Sequence, residues 1–206
     1  MMTNWILLIL VAVVSVLTAC GPTNAEAHGA GIPMKALQYR RVLRGEMNRV
    51  WGWNVSADVI AAQFQKESAW DETAVSWAGA KGLGQFMSAT ALGVAKLYQN
   101  EGLWPPNALS ASWAIKATVR HDRDNWLKYP EAATPDDRHG FMLAAYNMGP
   151  TWVSRERKAT AEDGGDRTRW FSHVEDSCVR KASACKETKD YADVILNRFR
   201  KLYRGW

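Results

Sequence analysis

One segment holds the residues whose types and spacing could do chemistry. Glu67 and Ser68 end a helical pattern, and a stretch rich in Gly, Ser and Thr follows as far as Phe86. If that stretch turns back as a loop, it brings Gln85 and Met87 towards Glu67. Its small residues let a long polymer approach the backbone closely. A carboxyl group in such a cleft can act as a general acid if a partly apolar surrounding raises its pKa.

Two later segments can add polar groups to the same place. One is Ala-Tyr-Asn-Met-Gly, which contains Tyr146 and Asn147, and the other is Glu-Thr-Lys-Asp-Tyr, which contains Glu187 and Tyr191. Each short motif is a weak signal by itself. Together with the Glu-Ser pair and the Gly-Leu-Gly-Gln-Phe-Met loop they form an ordered set of four.

This ordered set resembles the lysozyme-like domain of soluble lytic transglycosylases. That family is recognised by a Glu-Ser pair, a Gly-Leu-x-Gln-x-Met segment, an Ala-Tyr-Asn segment and a late Glu-Thr-x-x-Tyr. The match runs from about residue 57 to residue 203. The sequence departs from the pattern at Gly84, where many members have Met, and this change could widen the cleft wall. Ser88 stands where Pro is common, and Ala192 where Val is frequent.

The resemblance implies an enzyme that cleaves the MurNAc–GlcNAc bond of peptidoglycan and leaves 1,6-anhydro-muramic ends, without a cofactor. It assigns Glu67 as the catalytic acid and then base. Most glycosidases need a second carboxylate, but Asp71 and Glu72 do not belong to the family's catalytic set, and the substrate's N-acetyl group is thought to replace it. The implied substrate-binding residues are Ser68, Gln85, Met87, Tyr146, Asn147 and Tyr191.

Two other functions stay open at this stage. A hydrolytic lysozyme, for example a phage lysis enzyme, would use the same acid with water as the acceptor. A non-catalytic peptidoglycan-binding component of an envelope machine would need no acid. We expect no metal site, because two thiols and four His lack the spacing of metal ligands. The four His are interpreted as bystanders.

Outside the loop, the apolar spacing is helical, which predicts a mainly α domain over residues 35–206 with a short loop or small β segment near 70–87. The resemblance implies that this domain is lysozyme-like. A long polar stretch, 159–186, is predicted to be a loop. The predicted helices span Lys35–Trp51, Ser56–Glu67, Ser88–Leu97, Ala111–Trp126, Thr134–Gly149, Trp152–Lys158 and Glu187–Tyr203.

The amino terminus predicts export. Residues 5–17 form an almost wholly apolar run, too short to span a membrane comfortably and typical of a secretory signal. The run leads into Leu-Thr-Ala-Cys-Gly, which resembles a lipoprotein lipobox with Cys20 as the lipidated residue, although no Lys or Arg precedes it. We therefore predict a signal over 1–20 and a tether over 21–34. An uncleaved anchor, or cleavage without lipid, remains possible.

Charge and cysteines are consistent with an exported, single-domain protein of 206 residues. The net charge of +5 favours anionic partners, but export argues against nucleic acid. Cys178 and Cys185 remain as an even pair and are predicted to form a disulfide in an oxidising compartment. We expect a monomer on the periplasmic face of the envelope, held by its lipid to the outer membrane, with peptidoglycan glycan strands as its partner.

Overall fold

The computed structural model describes residues 31–53 and 55–206. The predicted signal, with Cys20, and most of the predicted tether lie outside these residues. Eight α-helices follow one another in the described part: α1 (Met34–Leu37), α2 (Arg40–Trp51), α3 (Asp58–Ser68), α4 (Ser88–Leu97), α5 (Ala111–Leu127), α6 (Pro135–Met148), α7 (Pro150–Glu162) and α8 (Ala182–Asp193). None of them is long and apolar enough to cross a membrane.

The predicted start of α6 is confirmed in detail. The Thr134 hydroxyl accepts a hydrogen bond from the Asp137 backbone N–H at 3.0 Å, and Pro135 occupies the first helical position, where no N–H is needed. The helix ends before Gly149, whose positive φ of 89° turns the chain. Pro150 then begins α7 directly.

The predicted loop over 159–186 is wrong at both ends. Helix α7 continues to Glu162, and α8 begins at Ala182 rather than at Glu187. The apolar spacing does not indicate this part of α7, because two of its buried positions hold polar residues, Glu156 and Thr160. Glu156 forms a buried ion pair with Arg180 at 2.9 Å.

The predicted disulfide between Cys178 and Cys185 is confirmed, with 5.8 Å between the Cα atoms. It joins the segment before α8 to the first turns of that helix. The segment in turn is held to α7 through Arg180. The polar stretch therefore contains a connection between two helices that a disulfide and an ion pair hold in place.

Two predicted helices are interrupted. The first is divided into α1 and α2 by a turn at Gln38 and Tyr39. The last changes its winding: α8 passes into a π-helical turn, Val194–Phe199, and then into a 3₁₀ turn, Arg200–Tyr203. The loop near 70–87 contains only isolated bridges, from Lys81 to its partners 75 and 86, and no strand occurs in the described residues.

The helices enclose one core around α5, which packs against α2 and α6, while α8 and α7 pack on α6. Helix α3 rests on the π-helical turn and the 3₁₀ turn that follow α8. Aromatic rings fill the space behind the end of α3, where Trp70 packs against Phe64, Tyr203 and Trp206. This packing fixes the position of the helix end that carries Glu67.

Candidate active site

The last turn of α3 carries Glu67 and is anchored by a buried tryptophan. Ala69 and Trp70 have left-handed φ values of 51° and 64°, which turn the chain sharply after the helix. The Trp70 indole is 1% exposed and donates a hydrogen bond to the Tyr203 hydroxyl at 2.7 Å. The carboxyl of Glu67 is therefore presented from a rigid helix end.

The loop after α3 is held back against the helix by hydrogen bonds. The Ser68 hydroxyl donates to the Leu83 carbonyl at 3.0 Å. The Gln85 side-chain nitrogen donates to the carbonyls of Gly82 and Ala74, at 2.9 Å and 3.3 Å. Ser68 and Gln85 thus shape the loop, and their contact with a substrate stays a prediction.

Tyr146 closes the other side of the loop. Its hydroxyl donates to the Gly84 carbonyl at 2.6 Å. A Cβ at Gly84 would lie 2.7 Å from Thr118 Oγ1, 2.8 Å from the Phe86 ring and 2.9 Å from the Tyr146 hydroxyl. The suggestion that Gly84 widens the cleft wall is therefore wrong, because neighbouring side chains already fill that space.

Glu67 and Tyr191 are brought into direct contact. The buried Tyr191 hydroxyl donates to Glu67 Oε1 at 2.5 Å. Part of the Glu67 side chain reaches solvent, but its carboxyl is densely surrounded by protein. Burial raises the pKa of Glu67 to about 7, against the lowering effects of the Tyr191 hydrogen bond and of Lys66, while Glu187 raises it further.

Asn147 acts on the site through α8. Its side-chain oxygen accepts from the Thr188 hydroxyl at 2.7 Å, and its amide lies near the Glu187 carboxyl. These contacts join the end of α6 to the helix that carries Tyr191. Met87, which immediately precedes α4, is exposed and free to contact a ligand.

Three residues near the site were missed from the sequence. Gln63 in α3 and Asp122 in α5 are fully buried behind Glu67. His121, interpreted as a bystander, packs against the Tyr146 ring at 5.4 Å, and burial lowers its pKa to about 4, so that it is neutral at pH 7. The sequence signal that could have indicated them was the presence of polar residues, such as Asp122, on the face of α5 that points into the core.

The chemistry that this arrangement supports is proton transfer by one carboxyl group. Within residues 31–53 and 55–206 no group of three or more His, Cys, Asp or Glu could hold a metal ion. An acid with a pKa near 7 is populated in both protonation states at neutral pH, as general acid–base catalysis requires.

The model of the family described as the transglycosylase SLT domain matches residues 47–168 of this chain. The chain belongs to this family. The matched segment contains Glu67, the loop to Met87 and the Tyr146–Asn147 pair, whereas Tyr191 lies beyond it. Helix α8, which follows the matched residues, delivers the hydroxyl in contact with the acid.

Relatives of the SLT domain support the same assignment. Membrane-bound lytic murein transglycosylase F of Cronobacter sakazakii is 34% identical over 112 residues, which are 54% of this chain and 20% of that protein. The protein of the same name from Salmonella typhimurium is 33% identical over 112 residues, again 54% of this chain and 20% of that protein. This chain thus spans about a fifth of the length of the curated relatives it matches.

The crystal structure of the 70 kDa soluble lytic transglycosylase SLT70 from Escherichia coli superposes with a TM-score of 0.58 at 22% identity. The match covers 78% of this chain and 24% of that one. At this identity the likeness shows the fold. The mainly helical, lysozyme-like architecture predicted from the sequence is confirmed.

Proposed function

We propose that this chain is a lytic transglycosylase that cleaves the MurNAc–GlcNAc bond of peptidoglycan and leaves 1,6-anhydro-muramic ends. The observation that carries the proposal is the Glu67 carboxyl, held by burial at a pKa of about 7 and hydrogen-bonded to Tyr191. The SLT domain and the names of its relatives, lytic murein transglycosylases, support the substrate class.

In the proposed reaction, protonated Glu67 gives its proton to the glycosidic oxygen as the bond to C1 of the muramic residue breaks. The substrate's N-acetyl group stabilises the positive charge that develops at C1. The Glu67 carboxylate then takes the proton of the C6 hydroxyl, whose oxygen attacks C1 and closes the anhydro ring. The hydrogen bond from Tyr191 stabilises the carboxylate between these steps.

The surroundings of the neighbouring carboxyl groups support a nucleophile that comes from the substrate itself, rather than a second catalytic carboxylate. Asp122 is fully buried and separated from solvent, so it cannot reach a sugar. Glu187 lies beside Asn147, the residue that joins the end of α6 to α8 through Thr188. We propose that Met87, Tyr146, Ser68, Gln85 and Asn147 shape and line the cleft around Glu67.

Digestion of purified murein separates this function from its alternatives. Wild-type protein is expected to release muropeptides lighter by one water than those released by a lysozyme, as seen by mass spectrometry, and Glu67→Gln to release none. Reducing-end sugars without the anhydro ring would establish a hydrolase instead. If wild type leaves murein intact and both proteins bind it equally, the chain is a binding module.

We also propose that the protein is exported and held at the periplasmic face of the envelope through Cys20. The apolar run and lipobox-like stretch support this, as does the membrane-bound description of its relatives. Metabolic labelling with a radioactive fatty acid should mark the wild type and not Cys20→Ser. Equal labelling of both proteins, or of neither, would refute lipidation at Cys20.

A further inference from the structure

A second carboxyl group lies behind the site and has no part in the chemistry proposed above. Asp122 in α5 is fully buried. Neither of its oxygens has a hydrogen bond of good geometry to the described residues. An ionised carboxylate without a partner in such a place is strongly unfavourable. The side chain therefore needs a physical explanation.

The group that faces Asp122 is the amide of Gln63. This amide is also fully buried, and neither its nitrogen nor its oxygen has a well-formed hydrogen bond within the described part of the chain. The two side chains lie close enough for the amide to hydrogen-bond the carboxyl. Gln63 precedes Glu67 by four residues in α3, so the two share a helix face, one turn apart.

No positive charge accompanies Asp122 among the described residues that face it. The titratable groups turned towards it are Glu67 from α3, Tyr146 from α6 and Tyr191 from α8. The arginines of its own helix are engaged elsewhere. Arg120 pairs with Glu46 and Glu101, and Arg123 lies over the Trp51 ring.

Hydrogen-bond chemistry distinguishes the two protonation states of this pair. A protonated carboxylic acid donates its O–H to the Gln63 oxygen and accepts an N–H from the Gln63 nitrogen, which satisfies both side chains. An ionised carboxylate has no proton to donate, so the Gln63 oxygen would face another acceptor. The protonated form is the one that leaves no buried polar group without a partner.

We propose that Asp122 is a neutral carboxylic acid that positions Glu67 through a two-bond pair with Gln63. This inference rests on the proposed function, because it concerns the acid which that function uses. Burial raises the pKa of Asp122 well above its usual range, and the nearby Glu67 carboxylate raises it further. Because only the protonated form gives both buried side chains a partner, Asp122 keeps its proton while Glu67 gives up and regains its own.

The protonation state can be observed without any substrate. Infrared spectra of the wild type at pH 9, about two units above the pKa of Glu67, should contain the C=O stretch of a protonated carboxylic acid. The band should be absent from Asp122→Asn and present in Asp124→Asn, a control two residues along the same helix, whose carboxyl accepts from the Tyr98 hydroxyl. If the wild type lacks the band, or if Asp122→Asn keeps it, the inference is refuted.

The positioning role is tested by kinetics on soluble glycan strands. Asp122→Leu leaves Gln63 unpaired, and we expect kcat to fall about tenfold while KM stays within about twofold. Asp122→Asn can form the same two bonds with Gln63 and should restore most of the loss. It should also keep the alkaline midpoint of kcat/KM within about 0.3 pH units.

Two kinetic outcomes would overturn the inference. An alkaline midpoint lowered by about one pH unit or more in Asp122→Asn would mean that Asp122 is charged and raises the pKa of Glu67. A fully active Asp122→Leu would mean that the pair positions nothing. If the wild type does not cleave murein at all, the proposed function fails, but the infrared result still decides the state of Asp122.

Discussion

Glu67→Gln should stabilise the protein only above about pH 4.5, and the gain should be complete above about pH 7. Burial raises the pKa of this carboxyl from 4.5 to about 7. Between these values the unfolded chain is ionised at Glu67 while the native protein is not, so the free energy of unfolding falls as pH rises. Below pH 4.5 there is no such loss, and above pH 7 it is complete.

The magnitude follows from the size of the shift. About 2.5 pH units at 1.36 kcal/mol each give about 3 kcal/mol as an upper figure, because part of the side chain reaches solvent. For a chain of this length that corresponds to roughly 6–12 °C in Tm. Gln keeps an oxygen that can accept the Tyr191 hydrogen bond and cannot ionise, so the variant removes the loss without opening a cavity.

Denaturant unfolding or calorimetry at pH 4, 6 and 8 measures this effect. The stabilisation of Glu67→Gln should be absent at pH 4 and largest at pH 8. Glu162→Gln, at an exposed carboxyl that pairs with Lys158 on the surface, should stay within about 0.5 kcal/mol at every pH. An equal gain at pH 4 and pH 8, or none at pH 8, would show that burial does not hold Glu67 protonated.

Two further predictions concern the hydroxyl and the glycine beside the acid. Tyr191→Phe removes a hydrogen bond to the carboxylate worth about 1.5–3 kcal/mol. The alkaline limb of kcat/KM should therefore move up by about one to two pH units, whereas Tyr146→Phe should leave the limb in place. An unmoved limb in Tyr191→Phe would contradict this. Gly84→Ala should cost about 1–3 kcal/mol in unfolding experiments because its Cβ meets three side chains, whereas Gly93→Ala, with open space around it, should not destabilise.

The order and type of most helices could be predicted because their signals are local. Thr134 and Pro135 mark the start of α6 through hydrogen-bonding and backbone requirements that act within one turn. The end of α7 and the start of α8 could not be predicted in this way. Glu156 is buried through its ion pair with Arg180, a residue that lies outside α7, and the Thr160 hydroxyl is buried by donating to the Glu156 carbonyl. A polar residue is recognised as buried only when its partner is known.

Part of the candidate site could likewise be predicted from the sequence, and part could not. The segment from Glu67 to Met87 could be found because its residues are close in sequence and held by hydrogen bonds within the loop. The contact between Glu67 and Tyr191 joins residues 124 positions apart. The pair formed by Gln63 and Asp122 was missed because each is a polar residue on a helix face that the apolar pattern assigns to the core.

The π-helical turn after α8 requires a fixed number of residues between the two tyrosines that flank it. Tyr191 lies before the turn and contacts Glu67, whereas Tyr203 lies after it and bonds Trp70 and Gln65. Both tyrosines face α3 because the wider winding sets their angular offset. Deleting one residue from 194–199 would rotate everything beyond it by about 100°. This short stretch should therefore behave as a spacer of fixed length. In deletion scanning, even the loss of an exposed residue such as Asn197 should not be tolerated.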